Sequence, residues 1–143
     1  MKRLLLDAQV CFPLYALSRQ VTALYRPLLE KLDLTYPQYL VLLLLWESDG
    51  VTVSAIGDRL LLDSGTLTPL LKRMEQKGLI NRTRNPADER QVTILLTENG
   101  RALQEQALNV PTDLQASLNL GDEQLIALRG QLKTLLDQIS VIK

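Results

Sequence analysis

No histidine occurs in this chain of 143 residues, and cysteine occurs once, as Cys11. Without imidazoles or clustered thiols the usual zinc donor set is missing, and a single cysteine excludes an internal disulfide. There is also no histidine base, no Cys-x-x-Cys pair and no phosphate-binding glycine loop, so the pattern argues against an enzyme, a thiol peroxidase included, and implies no cofactor or metal. The longest apolar run, Leu40 to Trp46, is far shorter than the roughly 20 residues that span a bilayer. The segment Met1 to Leu6 starts like a signal peptide, but Asp7 and Gln9 interrupt it too early. These shortages lead us to expect a cytoplasmic protein without membrane contact. An excess of either charge is missing too, since 16 basic residues face 16 acidic ones. That balance argues against a histone-like coating protein and leaves room for a local basic surface.

Such a surface is present in the stretch from Thr52 to Thr97. Thr52 to Leu61 reads as a short helix, Asp63-Ser64 as a break, and Gly65 to Lys77 as a second helix closed by Gly78. In the second helix Leu67, Leu70, Leu71 and Met74 recur at i, i+3, i+4 and i+7, which turns one face inward and leaves Thr66, Thr68, Lys72, Arg73 and Gln76 outward. Pro69 lacks an amide hydrogen and predicts a local loosening of that helix. The period then changes. Leu79 to Arg84 and Gln91 to Leu96 read as strands joined by the turn-rich segment from Asn85 to Glu89. Between Thr66 and Pro86, Lys72, Arg73, Lys77, Arg82 and Arg84 face only Glu75, so helix and ribbon together are basic.

The flanks read as helical scaffold. Leu14, Leu17, Val21, Leu24 and Leu28 form an apolar stripe on a helix between Leu4 and Lys31, with Pro13 and Pro27 as kinks or boundaries. Thr35 and Gln38 have capping-box spacing, which predicts a helix from about Tyr36 to Asp49-Gly50. Thr97 caps a further helix running through Leu103 and Leu108 toward Pro111, with a break at Asn119 to Asp122. Leu125, Leu128, Leu132, Leu135, Ile139 and Ile142 then form a narrow seam suited to a coiled-coil-like contact.

The length fits one domain, mainly α with a small β wing. Within it, residues 35–97 read as a winged helix-turn-helix and 1–34 and 98–143 as dimerisation helices, the alternative being that their apolar stripes pack within one chain. A homodimer built this way reads an inverted repeat in double-stranded DNA, its recognition helices about one turn, roughly 34 Å, apart.

Asp88-Glu89-Arg90 followed by Leu96-Thr97 resembles the Asp-x-Arg…Leu-Thr signature of the MarR-type regulators, and the likeness extends to the helices on both sides. It implies a winged-helix dimer whose helix from Ser64 to Lys77 enters the major groove while the wing reaches the minor groove. Carried onto this sequence, it places Ser64, Thr66, Thr68 and Pro69 at the groove, Lys72 and Arg73 nearer phosphates, and Arg90, with Arg84 of the same ribbon, on the wing. Hydroxyls suit phosphate or base edges, and a guanidinium suits a narrow minor groove. Lys72 and Arg73 also fit an ordinary solvated helix face, and Arg90 also fits an ion pair with Asp88.

Cys11 with Tyr15, Tyr25 and Tyr36 downstream is similar to the arrangement in the one-cysteine OhrR branch of that family, which senses organic hydroperoxides. There the cysteine is the reactive thiol, and tyrosine hydroxyls contributed across the dimer hold it. By composition alone a lone cysteine on an apolar helix is a core residue and tyrosines are boundary residues. It is their joint spacing in a MarR-like chain that favours the redox reading. Attack on a peroxide gives a sulfenic acid, and with no second cysteine to resolve it, the sulfur meets a low-molecular-weight thiol, forms a sulfenamide or is overoxidised. Phe12, Leu14 and Leu17 make an apolar approach suited to a peroxide with a hydrocarbon tail. The resemblance thus implies a repressor released when Cys11 is oxidised. The alternative is a MarR-type repressor released by a non-covalent ligand, with Cys11 incidental.

Overall fold

The computed structural model describes residues 1–139; Ile142 of the expected terminal seam lies outside the described residues. Two single 3₁₀ turns, Lys2–Leu4 and Leu6–Ala8, lead into the long helix α1, Cys11–Glu30. Next come α2 (Tyr36–Glu47), a two-residue strand β1 (Val51–Thr52), α3 (Val53–Leu60) and α4 (Ser64–Gln76). The wing is β2 (Ile80–Asn85) and β3 (Asp88–Leu96), and three helices follow: α5 (Glu98–Gln106), α6 (Val110–Leu118) and α7 (Asp122–Gln138). Seven α-helices and one antiparallel sheet of order β1-β3-β2 therefore make up the described residues.

Local chemistry accounts for most helix starts. The capping box forms as expected, with the Gln38 amide donating to Thr35 Oγ1 and the Thr35 amide to Gln38 Oε1. Thr52, Asp63 and Thr97 accept from the amides three residues on, satisfying donors that a helix start leaves unpaired.

Prolines account for most differences from the sequence reading. Pro27 lies inside α1 and does not end it, and α4 runs unbroken through Pro69. The missing Pro69 amide deprives only the carbonyl of Gly65, an exposed residue in the first turn that water can reach. The expected helix from Thr97 to Pro111 is two helices. Leu108 and Val110 donate to carbonyls three residues back and turn the chain, and Pro111 then lies in the first turn of α6, where its missing amide costs nothing. In the wing, β3 starts three residues earlier than expected, shortening the loop to Pro86-Ala87, and β1 pairs with it through Val51–Ile94 and Thr52–Thr93.

The core is concentrated under the wing and helix-turn-helix. Tyr39, Leu42, Leu45, Ile56, Leu67, Leu71, Met74, Ile80 and Ile94 are almost wholly buried, and the stripe expected on α4 (Leu67, Leu70, Leu71, Met74) is its floor. The terminal helices differ. Leu29 is the only buried residue of α1, and α7 has none. Leu14, Leu17, Leu132, Leu135 and Ile139 are all exposed, as are Leu4, Leu5, Leu6, Val10 and Phe12 ahead of them.

Candidate nucleic-acid interface and thiol site

The exposed face of α4 carries Ser64, Thr66, Thr68, Pro69, Lys72 and Arg73, all the positions expected there. Asp63 caps the helix; its Oδ1 accepts from the Thr66 amide at 2.7 Å, and that bond holds the Asp63 carboxyl below the usual carboxylate range. Lys72 and Arg73 form no ion pair among the described residues. Glu75, the one acid beside them, is turned toward the wing. It accepts from the Arg82 amide and Nε, each at 3.2 Å, with the guanidinium 3.1 Å away, and Arg82 holds its carboxyl low. Arg82 is thereby neutralised and ties the wing root to the recognition helix.

Farther out, the β2–β3 register shifts between Arg84 and Asn85, which leaves Glu89, Arg90 and Gln91 between paired positions. Arg84 spans that irregularity, donating to the Glu89 carbonyl at 3.2 Å, so part of its hydrogen-bonding capacity holds the wing tip. Asp88 Oδ1 accepts from the backbone amide of Arg90 at 3.1 Å. The alternative Arg90–Asp88 ion pair is not formed, and the Arg90 side chain is exposed at the tip.

The thiol residues divide into two places. Cys11 is the first residue of α1 and is exposed. Tyr15 lies one turn on, 64 % exposed, with the Arg19 guanidinium 5.6 Å from its ring centre. Tyr25 lies near the other end of α1, about 21 Å from Cys11 at 1.5 Å per helical residue. There it stacks on Tyr36, 4.5 Å between ring centroids, with Tyr39 at 5.8 Å from Tyr25 and 6.4 Å from Tyr36. Burial raises the pKa of all three phenols, and at Tyr25 the neighbouring Tyr36 and Tyr39 add to it. Within one chain, then, Tyr15 is one helical turn from Cys11, and Tyr25 with Tyr36 lies at the far end of the helix. Sequence reasoning misses Tyr39 because it reads as one more apolar position of α2; its spacing of three from Tyr36 is the available signal.

Between α1 and α7 lies a cavity of about 610 Å³ lined chiefly by Leu14, Leu17, Val21, Leu61, Leu132 and Leu135, with Tyr36 at its wall. No cluster of metal-binding side chains and no helix long and apolar enough to cross a membrane occurs among the described residues.

A helix-turn-helix with a β wing, a basic recognition face and scaffold helices at both ends defines the winged-helix class of transcriptional regulators. Residues 23–107 match the family model for the transcriptional regulator SarA/Rot. The organic hydroperoxide resistance transcriptional regulator of Bacillus subtilis is 53 % identical over 94 % of this chain and 91 % of its own. AbfR of Staphylococcus epidermidis, solved in its reduced form bound to DNA, is 40 % identical with a TM-score of 0.77, covering 94 % of each chain. Overoxidised AbfR, also bound to DNA, matches at 41 % identity and a TM-score of 0.76, over 94 % of this chain and 95 % of that one. A cysteine-to-serine mutant of Escherichia coli MarR complexed with operator DNA is 32 % identical, with a TM-score of 0.77, over 86 % of this chain and 90 % of its own. The chain belongs to the MarR-type winged-helix transcriptional regulators, in the branch of the organic hydroperoxide resistance regulators.

Proposed function

We propose that this protein is a DNA-binding repressor, acting as a homodimer on an inverted repeat and released when Cys11 is oxidised by an organic hydroperoxide. The observation that carries it is the pairing of a basic recognition helix with a lone, exposed thiol on a scaffold helix. Ser64, Thr66, Thr68 and Pro69 meet the major groove, Lys72 and Arg73 the phosphates, and Arg90 the minor groove, with Arg84 bracing the wing. Cys11 and Tyr15 of one copy face Tyr25 and Tyr36 of the other, since about 21 Å of helix separates Cys11 from its own Tyr25. The exposed apolar faces of α1 and α7 and the N-terminal leucines support association of copies in the scaffold.

The thiolate attacks the peroxide, one oxygen passes to sulfur and an alcohol leaves. The resulting sulfenic acid condenses with a low-molecular-weight thiol, losing water and forming a mixed disulfide. That overoxidised AbfR is found on DNA favours a bulky adduct over added oxygens as the releasing form here. One turnover per cysteine makes the protein a stoichiometric sensor, in keeping with relatives that are transcriptional regulators.

A gel shift on inverted-repeat DNA from the protein's own promoter, with and without cumene hydroperoxide and a thiol, read beside intact mass, tests this. Release with a mixed disulfide at Cys11 supports it, and binding that survives a mixed disulfide at Cys11 overturns it. A second reading, release by a non-covalent ligand, is favoured by the apolar cavity beside Tyr36. In that case a Cys11→Ser protein still answers its inducer.

A further inference from the structure

Lys77 closes α4 and reaches out of it. Its ammonium donates to the Asp33 carbonyl, lies 3.3 Å from Gln38 Oε1 and stands 3.5 Å from the Asp33 carboxylate. The Lys77 side chain is 29 % exposed and the Asp33 side chain 93 %, so the ion pair lies in water and the bond to Gln38, which is buried, is the shielded one.

Both partners belong to the corner that joins α1 to α2. Asp33 adopts a left-handed conformation, φ 54°, where Leu34 donates back to Leu29 and Asp33 to Glu30 to close α1. Gln38 is 4 % exposed, and the oxygen that faces Lys77 also accepts from the Thr35 amide in the capping box of α2. Tyr36 is the first residue after that cap, and Tyr25 stacks on it from α1. The end of the recognition helix is thus bonded to the corner that carries the tyrosine pair.

We propose that Lys77 is the positioning residue that couples the thiol site to the recognition helix, a proposal that rests on the peroxide-release reading above. The buried residues of α4 and α2 otherwise belong to one hydrophobic cluster, and apolar contacts are less directional than hydrogen bonds. Directed bonds from one ammonium to a backbone carbonyl and a buried amide oxygen resist sliding. When an adduct on Cys11 displaces the partner copy's tyrosine pair, the corner shifts, and Lys77 carries the C-terminal end of α4 with it. The two recognition helices then lose their spacing on the operator.

Lys77→Met keeps the length of the side chain and removes its donors. The expected result is a reduced protein that binds operator close to wild-type affinity and oxidises at Cys11 at the wild-type rate by intact mass. Its peroxide-induced loss of affinity is smaller than that of wild type by about tenfold. Lys77→Arg, which keeps charge and donors, restores release. A Lys77→Met protein that releases like wild type with Cys11 modified overturns the coupling and leaves the peroxide reading intact. A wild-type protein that holds DNA with a mixed disulfide at Cys11 overturns both. Should Lys77→Met lose operator affinity when reduced, hydrogen exchange decides without DNA. Faster exchange across residues 64–76 on oxidation of wild type, absent from the variant, supports the strut, and the same change in both removes it.

Discussion

Tyr25 and Tyr36 come from different helices and stack with ring centroids 4.5 Å apart and planes inclined by 33°. The pair joins the end of α1 to the start of α2. Burial raises both pKa values, so the hydroxyls remain protonated donors at neutral pH. A phenol in that state donates a hydrogen bond to an anionic sulfur without competing for its proton.

Tyr36→Phe keeps the stack and removes the donor. Its operator affinity is expected to match wild type, while oxidation of Cys11 by an organic hydroperoxide slows by about tenfold, the loss of one hydrogen bond to a charged group. Stopped-flow mixing with cumene hydroperoxide, quenched and read by mass, measures it. Equal rates would place Tyr36 in the core alone.

The two wing arginines separate by their partners. Arg90 is exposed at the tip with its guanidinium unpaired among the described residues, whereas Arg84 donates to the Glu89 carbonyl. Arg90→Ala is expected to weaken operator binding by about 1 to 3 kcal/mol and lower its salt dependence, with thermal stability unchanged. Arg84→Ala is expected to weaken binding and also speed hydrogen exchange at the wing tip. Titrations at two salt concentrations distinguish them; an Arg90→Ala protein with full affinity would remove the wing from DNA.

Features written in contiguous residues were legible in the sequence. The Thr35/Gln38 box and the leucine stripe of α4 each depend on spacings of three or four, which a helix satisfies by itself. The two-residue β1 was not legible, because Val51-Thr52 becomes a strand only by pairing with Ile94 and Thr93 far along the chain. Pro111 reads as a stop in the sequence because a proline ends one helix as readily as it starts the next. Of the site, residue identities were readable but their division was not. Cys11 and Tyr25 share a helix, and only the length of that helix shows that they do not meet within one chain.

Gly100 lies in α5 where a Cβ would stand 2.2 Å from the Leu79 carbonyl oxygen and 3.1 Å from Leu96 Cδ2. Its own carbonyl accepts from the Trp46 indole at 2.9 Å, so backing away from Leu79 strains a second contact. Gly100→Ala is expected to cost about 1 to 3 kcal/mol. In a thermal melt that is a fall of several degrees, on the order of 3 °C per kcal/mol at this size. Gly130→Ala is the control. Nothing lies within 4 Å of its added Cβ, and replacing a helix-interior glycine is expected to stabilise by ~0.5 to 1 kcal/mol. A Gly100→Ala melt equal to wild type would mean that α5 moves freely from β3.

Asp49 joins three elements through one carboxylate. Oδ1 accepts from the Gly50 amide at 2.8 Å and the Leu96 amide at 2.9 Å, and Oδ2 from Arg101 at 3.1 Å. Burial alone pushes this carboxyl up, but the Leu96 amide, Arg101 and the Gly50 amide outweigh it and hold the pKa below the ordinary value. A folded pKa below the unfolded one means that the stabilisation is fully present above the unfolded value, about 4, and is lost as pH falls through the folded value. Asp49→Asn is therefore expected to melt below wild type at pH 7, by the equivalent of about 1 to 2 kcal/mol, with the gap narrowing below about pH 4. Melts of both proteins from pH 7 to pH 3 check the sign. A gap that stays constant with pH would assign the stabilisation to the shape of the side chain and not to its charge.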